Sequence, residues 1–235
     1  MSSTAWHGIV LVSAGGILLA LFGVRACRAS SQTDWGAGWK NLIDGLVRLF
    51  CRRYHRFEFE PVPLPERGPA ILVCNHVSGL DPLLLIAACR RPLRFMIAVE
   101  QYRRFGLTWL FRAAGCIPVD RGGNPHRAYR AALKALAEGE VVALFPHGKI
   151  HLDSGPPRRL KGGAAKLAHM TGALIYPVRV EGIRGEGHIV RAVVKRSRAR
   201  LRSFAPVDCS GLSFNDCLVC LATYLDKPHV EAEAD

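Results

Sequence analysis

AILVCNHVSGLDPLLLIAACR, residues 70–90, carries a strand, a turn and a helix in one short stretch. Ala70 to Asn75 is a short apolar run ending in polar residues, and its length and flanks predict a buried strand. Asp81 and Pro82 open a second apolar run, 82–90. Aspartate as helix cap with proline in the first turn is a standard helix start. Between them lie His76 and a glycine-bearing turn. An imidazole with a carboxylate five residues on can have one nitrogen held and the other free to take a proton. A polar turn whose aspartate caps the helix explains the same residues, and spacing alone leaves both readings open.

Outward from this unit the alternation continues. RFMIAV (94–99), CIPVD (116–120), VVALFP (141–146), LIYPVRVEG (174–182) and HIVRAVVKRS (188–197) predict strands. FGLTWLFRAAG (105–115), HRAYRAALKALAEG (126–139), LKGGAAKLAHMTG (160–172) and FNDCLVCLATYLD (214–226) predict helices, the last with Ser213 as its cap. Strands alternating with helices of this length predict an α/β fold, a layered and largely parallel mixed sheet flanked by helices. The polar clusters NHVSGLD, DRGGN and HGKIHLD each follow a strand. Functional loops of such sheets gather at the carboxyl ends of the strands.

The chain has 235 residues, enough for one domain and a short appendage. Its net charge of +13 implies a polyanionic neighbour, nucleic acid or an anionic membrane. Residues 8–24, GIVLVSAGGILLALFGV, carry no charge and are followed by Arg25 and Arg28. They predict a membrane helix, spanning or half-inserted, whose carboxyl side faces the cytoplasm. In WGAGWKNLIDGLVRLFCRRYHRF, residues 35–57, Trp39, Leu42, Ile43, Leu46, Leu49 and Phe50 share a helical stripe, with Lys40, Asp44, Arg48 and Arg52 elsewhere. This basic amphipathic helix suits a bilayer interface or a stripe packed on the core. We therefore expect an anchor over residues 1–55, a catalytic domain over 56–235, membrane lipids as partners and no nucleic acid. The eight cysteines show no paired spacing, which predicts buried reduced thiols. Arg196, Arg198, Arg200 and Arg202 alternate and would form one basic edge on a strand.

Four blocks occur in order: NHVSGLD (75–81), GCIPVDR (115–121), FPHG (145–148) and YPVRV (176–180), with the basic turn RRLKGGAAKLA (158–168) between the last two. Together they resemble the lysophosphatidic acid acyltransferase (1-acylglycerol-3-phosphate O-acyltransferase) family, over about residues 70–182. The third block departs from that family's Phe-Pro-Glu-Gly, with His147 where glutamate is usual. The resemblance implies a glycerolipid acyltransferase-like fold. It also implies transfer of an acyl group from acyl-CoA or acyl carrier protein to a lysophospholipid hydroxyl, with no cofactor beyond that co-substrate. A thioester is already activated, so the reaction needs a base, His76, and a group to orient it, Asp81. Arg121 is the candidate to grip an acceptor phosphate, or else a surface arginine paired with Asp120. Asn75, Phe145, Pro146, His147, Gly148 and Lys161 complete the expected substrate contacts. His147 leaves open another lysolipid or an aminolipid as acceptor. A silent lipid-binding protein of the same fold is the rival from another class.

His147, His151 and Asp153 also suggest a metal, but Gly148 argues against the helix that would align two histidines, and no metal is expected. G-x-S-x-G, Walker A and G-x-G-x-x-G sequences are absent, so serine hydrolase and nucleotide chemistry are not supported.

Overall fold

The computed structural model describes residues 3–104, 106–156 and 158–226, and side chains from residue 15 onward. Helix α1 (Ser3–Ser30) precedes α2 (Gly38–Leu49), which runs on through a single π-helical turn, Phe50–Tyr54. Then come β1 (Glu58–Phe59), β2 (Ala70–Cys74), α3 (Asp81–Ala88), β3 (Leu93–Ala98), α4 (Val99–Tyr102), α5 (Thr108–Ala113) and β4 (Ile117–Val119). The chain continues through α6 (His126–Ala137), β5 (Val141–Leu144), α7 (Gly163–Thr171), β6 (Ile175–Glu181), α8 (Ile189–Val194), β7 (Arg200–Ser203) and α9 (Phe214–Leu225).

The strands form one sheet in the order β1-β7-β6-β2-β5-β3-β4. Its pairs are parallel except β6 with β7. The expected mixed, largely parallel sheet is therefore present. All of β2 is buried because both faces are covered. Ala70, Leu72 and Cys74 pack on one side with Leu80, Leu84 and Leu85 of the α3 region. Ile71 and Val73 pack on the other with Ala128, Ala132 and Leu136 of α6 and Ala164, Ala165 and Leu167 of α7. Alternate strand residues thus feed two cores, one on each side of the sheet. Val73 is in register with Leu144 and Cys74 with Val178, so β2 and β5 end within a residue of each other while β6 runs on three residues to Glu181. Parallel register brings three sequence-distant loops to one edge.

Three expectations change. The first concerns HIVRAVVKRS, which forms α8 rather than a strand, with Ala192 buried and Val190 and Val194 exposed. The place beside β6 is taken by Arg200–Ser203, which pairs with Val178–Glu181, so tertiary pairing overrides the β-branched composition. The alternating arginines are consequently not an open edge. Arg200 lies 3.6 Å from Glu58 and Arg202 lies 3.5 Å from Glu181.

The second concerns α2, whose polar residues point inward. Asp44 and Arg48 are buried while Trp39 and Leu46 are exposed. Arg48 donates to Asp44 (2.8 Å), Thr33 (2.7 Å), the Ala87 carbonyl (2.9 Å) and the Cys89 carbonyl. A buried guanidinium is tolerable because its donors are matched. Gly45 lets α1 approach, since a Cβ there would sit 1.8 Å from the Cys27 carbonyl oxygen. The expected membrane span, residues 8–24, falls partly on side chains outside those described. Among the described residues no helix is long and apolar enough to cross a membrane. Ile17, Leu18, Leu19, Leu21 and Phe22 of α1 are nonetheless exposed.

The third concerns the thiols. Cys209 and Cys217 form a disulfide, their Cα atoms 5.6 Å apart, which fixes the segment leading into α9. Cys51, Cys74, Cys89 and Cys116 are buried and free, as expected. Burial pushes the Cys51 and Cys89 thiols up to about 12 and Cys116 to about 11, so these are packing groups and not nucleophiles.

Candidate active site

His76 leaves the carboxyl end of β2, and its Nδ1 lies 2.8 Å from Asp81 Oδ2. Asp81 does not cap α3 by its side chain. It is the first residue of the helix, Pro82 the second, and its carboxylate turns back to the residues before it. Oδ2 also accepts from the Val77 and Ser78 amides, at 2.8 and 2.9 Å, and Oδ1 accepts from the Ser78 hydroxyl at 2.6 Å. The turn NHVSGLD is therefore folded around one carboxylate. Asp81 is fully buried and its charge is balanced by four donors.

With Nδ1–H donating to Asp81, a neutral His76 presents Nε2 as a lone pair. The His76 side chain keeps 19% of its surface exposed. Its ring is stacked on Phe145, centroids 4.2 Å apart and planes at 20°. Its backbone carbonyl accepts from the His151 amide at 2.7 Å. The ring is thus oriented by Asp81 and by Phe145, while the loop after β5 also holds the His76 backbone. This arrangement can remove a proton from a hydroxyl and hold the resulting imidazolium beside a carboxylate.

The other expected residues separate into two groups. Asn75 is buried and both ends of its amide bond Val180, Nδ2 to the carbonyl at 3.0 Å and Oδ1 from the amide at 2.8 Å. It joins β2 to β6 and thereby holds His76 at the strand end. Pro146 is buried and its carbonyl accepts from the Lys161 amide at 2.8 Å. Gly148 has φ of +72°, a conformation that favours glycine, and a Cβ there would press on the Lys161 side chain at 2.8 Å.

Arg121 and Lys161 carry the charge. Lys161 is pushed below the usual lysine range by burial first, and then by Arg121, Arg158 and Lys149. These four cations, from the loops after β4 and β5, therefore concentrate positive potential in one neighbourhood. Asp120 does not neutralise them in the expected way. Its Oδ1 accepts from the Gly122 and Gly123 amides at 3.1 and 2.9 Å and closes its own loop.

His147 is buried, and its Nε2 lies 2.9 Å from Asp226 Oδ1 at the end of α9. Its ring stacks on His151 with centroids 4.8 Å apart. Burial holds its pKa below the ordinary imidazole range, opposed by Asp226. Two participants were missed by the sequence reading. Arg179, from YPVRV, is buried and donates to the Leu225 carbonyl and to Asp153. Asp226 pairs with a histidine 79 residues away, and no local pattern announces such a partner. A cleft of about 710 Å³ runs between the loop after β5 and α9, lined in part by His151, Arg158, Arg159 and Asp226.

Comparison with known proteins gives a consistent result. Residues 56–181 match the family model described as Acyltransferase. N-acylphosphatidylethanolamine synthase of Arabidopsis thaliana is 35% identical over 113 residues, 44% of this chain and 40% of that protein. 1-acyl-sn-glycerol-3-phosphate acyltransferase of Borreliella burgdorferi is 26% identical over 162 residues, 68% of this chain and 58% of that protein. The chain thus spans about half the length of these two curated relatives. The crystal structure of the 1-acyl-sn-glycerophosphate acyltransferase PlsC of Thermotoga maritima has a TM-score of 0.59 at 20% identity, covering 78% of this chain and 80% of that one. That likeness concerns the fold.

Proposed function

The chain belongs to the acyltransferase family, and on that premise we propose that it acylates a glycerolipid. The reaction we infer moves a fatty acyl group from acyl-CoA or acyl carrier protein to the free hydroxyl of 1-acylglycerol-3-phosphate, giving phosphatidic acid. The observation that carries the reading is the His76–Asp81 pair, with Nδ1 held at 2.8 Å and the ring partly open to solvent. His76 Nε2 takes the hydroxyl proton as the oxygen attacks the thioester carbonyl. Asp81 stabilises the imidazolium, which then returns the proton to the departing thiolate. General base catalysis of this kind contributes about 10²–10⁴-fold. Lys161 and Arg121 supply positive potential for the acceptor phosphate. No cofactor beyond the thioester co-substrate enters this scheme.

A second reading has a specific observation behind it. His147 stands where the resemblance leads one to expect glutamate, and the Arabidopsis relative is named for an N-acylated phosphatidylethanolamine. An amine acceptor would use the same base and the same donor.

We further propose that the protein works at a membrane, with its catalytic face in the cytoplasm and lipids, not nucleic acid, as partners. Support comes from the exposed Ile17, Leu18, Leu19, Leu21 and Phe22 of α1, with Trp39 and Leu46 of α2, together with the net positive charge.

The test follows released thiol while purified protein is given acyl-CoA or acyl carrier protein with a panel of lysolipids and ethanolamine lipids. Turnover is expected with a lysophospholipid and is expected to vanish in His76→Ala. No thiol release with any acceptor, or full release by His76→Ala, would overturn the mechanism. Preference for an amine acceptor would replace the first reading by the second.

A further inference from the structure

Among the described residues, a side-chain cluster beside the His76–Asp81 pair has the chemistry of a cation site. His147, His151 and Asp226 each bring one ligand atom to within 4.8 Å of the others. We propose that these three residues bind a divalent transition-metal ion of the zinc class and so clamp the loop after β5 to the end of α9. Two histidines four residues apart need not share a helix to face one ion. Here a turn does the work instead. Gly148 at φ of +72° reverses the chain, and the two imidazoles stack face to face at 4.8 Å.

The donor set is two imidazoles and one carboxylate, which suits Zn²⁺ or Co²⁺ rather than Mg²⁺ or Ca²⁺. In a tetrahedral zinc site, bonds of about 2.0–2.1 Å place ligand atoms about 3.3 Å apart. His147 Nε2 and Asp226 Oδ1 already lie 2.9 Å apart. The widest separation must close by about 1.5 Å, and His151 is the residue free to move, being on a loop and only partly buried.

The proton balance also closes. Without an ion, Nε2–H donates to Asp226. Bound to an ion through the Nε2 lone pair, the neutral ring keeps its single proton on Nδ1. Nδ1 is buried and finds no hydrogen-bond partner among the described residues, so no bond there has to break for it to carry that proton. His151 and Asp226 both line the 710 Å³ cleft, which gives an ion its route of entry and leaves a further coordination position facing the cleft. Arg158 lines the same cleft and acts on His147, opposing a bare cation. Water or an anion therefore completes the shell. Asp153 is engaged with Arg179 and is not counted as a ligand. The proposal does not depend on the acyl-transfer reading, because binding alone tests it.

The full-length protein is stripped with chelator, dialysed into metal-free buffer and titrated with Co²⁺, then with Zn²⁺. One equivalent of Co²⁺ is expected to bind with the visible absorption of a low-coordinate nitrogen and oxygen site. Zn²⁺ should displace it and excess Mg²⁺ should not. His151→Ala and the isosteric Asp226→Asn should each weaken binding by more than about 100-fold, since loss even of outer-shell partners costs about 10–100-fold. Both variants should keep the circular dichroism of the metal-free parent. His126→Ala, at an exposed position on α6, should bind as the parent does. Absence of saturable binding, or binding retained by either the His151 or the Asp226 variant, would overturn the proposal.

Discussion

Replacing Asp81 by asparagine separates the charge of this side chain from its shape. Alanine would leave the Val77 and Ser78 amides, the Ser78 hydroxyl and His76 Nδ1 without their common acceptor in a buried turn. At about 1–3 kcal/mol for each unsatisfied group, that variant tests folding more than catalysis. Asparagine can place its amide oxygen where Oδ2 lies and keep three of the four bonds. Its NH₂ then faces the Ser78 hydroxyl, which can accept. The turn and the His76 tautomer survive, and what disappears is one negative charge beside the imidazolium. With Nδ1 2.8 Å from Oδ2, the charge centres lie about 4 Å apart, worth about 4 kcal/mol at an effective dielectric of about 20. At 1.36 kcal/mol per decade this is about 10³-fold in kcat, with KM little changed.

The assay is steady-state thiol release beside a thermal melt. Asp81→Asn introduced into His76→Ala should cost nothing further, because a charge that acts through an imidazole has no target once the imidazole is gone. If Asp81→Asn alone stays within about tenfold of the parent in kcat with its melt unchanged, Asp81 is a structural acceptor only and the reasoning fails. A further loss in the His76→Ala background would equally refute it.

Three more outcomes follow from the same structure. His55 is buried beside Phe50 and Tyr54, with Nε2 3.1 Å from the Val193 carbonyl, and burial holds its pKa below the ordinary 6.5. The unfolded chain therefore binds more protons in the window below about 6.5, and its contribution to stability is lost as pH falls through that window. Urea midpoints should drop between neutral and mildly acidic pH, less so in His55→Gln; equal slopes in the two proteins would exclude His55 as the cause. Arg48→Met leaves the buried Asp44 charge without its guanidinium partner and should cost about 3–5 kcal/mol by urea unfolding, while a loss under about 1 kcal/mol would mean that the buried cluster is not what seats α2. Arg121→Ala should raise KM for phosphate-bearing acceptors by about tenfold, from one lost charge-assisted contact of about 1.5 kcal/mol, and leave uncharged acceptors unaffected; an equal rise for both would remove Arg121 from the phosphate site.

Much of the site was legible because its first half is local. A buried strand, a tight turn and a helix start fall within residues 70–90, so His76 and Asp81 had to emerge close together. Even so, the sequence left open whether the Asp81 side chain caps the helix or orients His76. Composition identifies a good cap but not the direction in which its side chain turns. The carboxylate faces back into the turn because four donors wait there. Arg48 shows the same limit. Its helical position placed it on the polar side, and the open carbonyls of Ala87 and Cys89 drew that side inward.

From the sequence alone came the alternation of strand and helix, the strand-end location of the polar loops and the nearness of His76 to Asp81. Each of these depends on neighbours along the chain, where backbone geometry limits what can happen. Only the tertiary structure decided that Phe145 stacks on His76, that Asn75 is consumed by Val180, that Arg200–Ser203 and not His188–Ser197 completes the sheet, and that Asp226 meets His147. Those contacts join residues far apart in the chain, and they depend on strand register and helix docking, which local pattern does not encode.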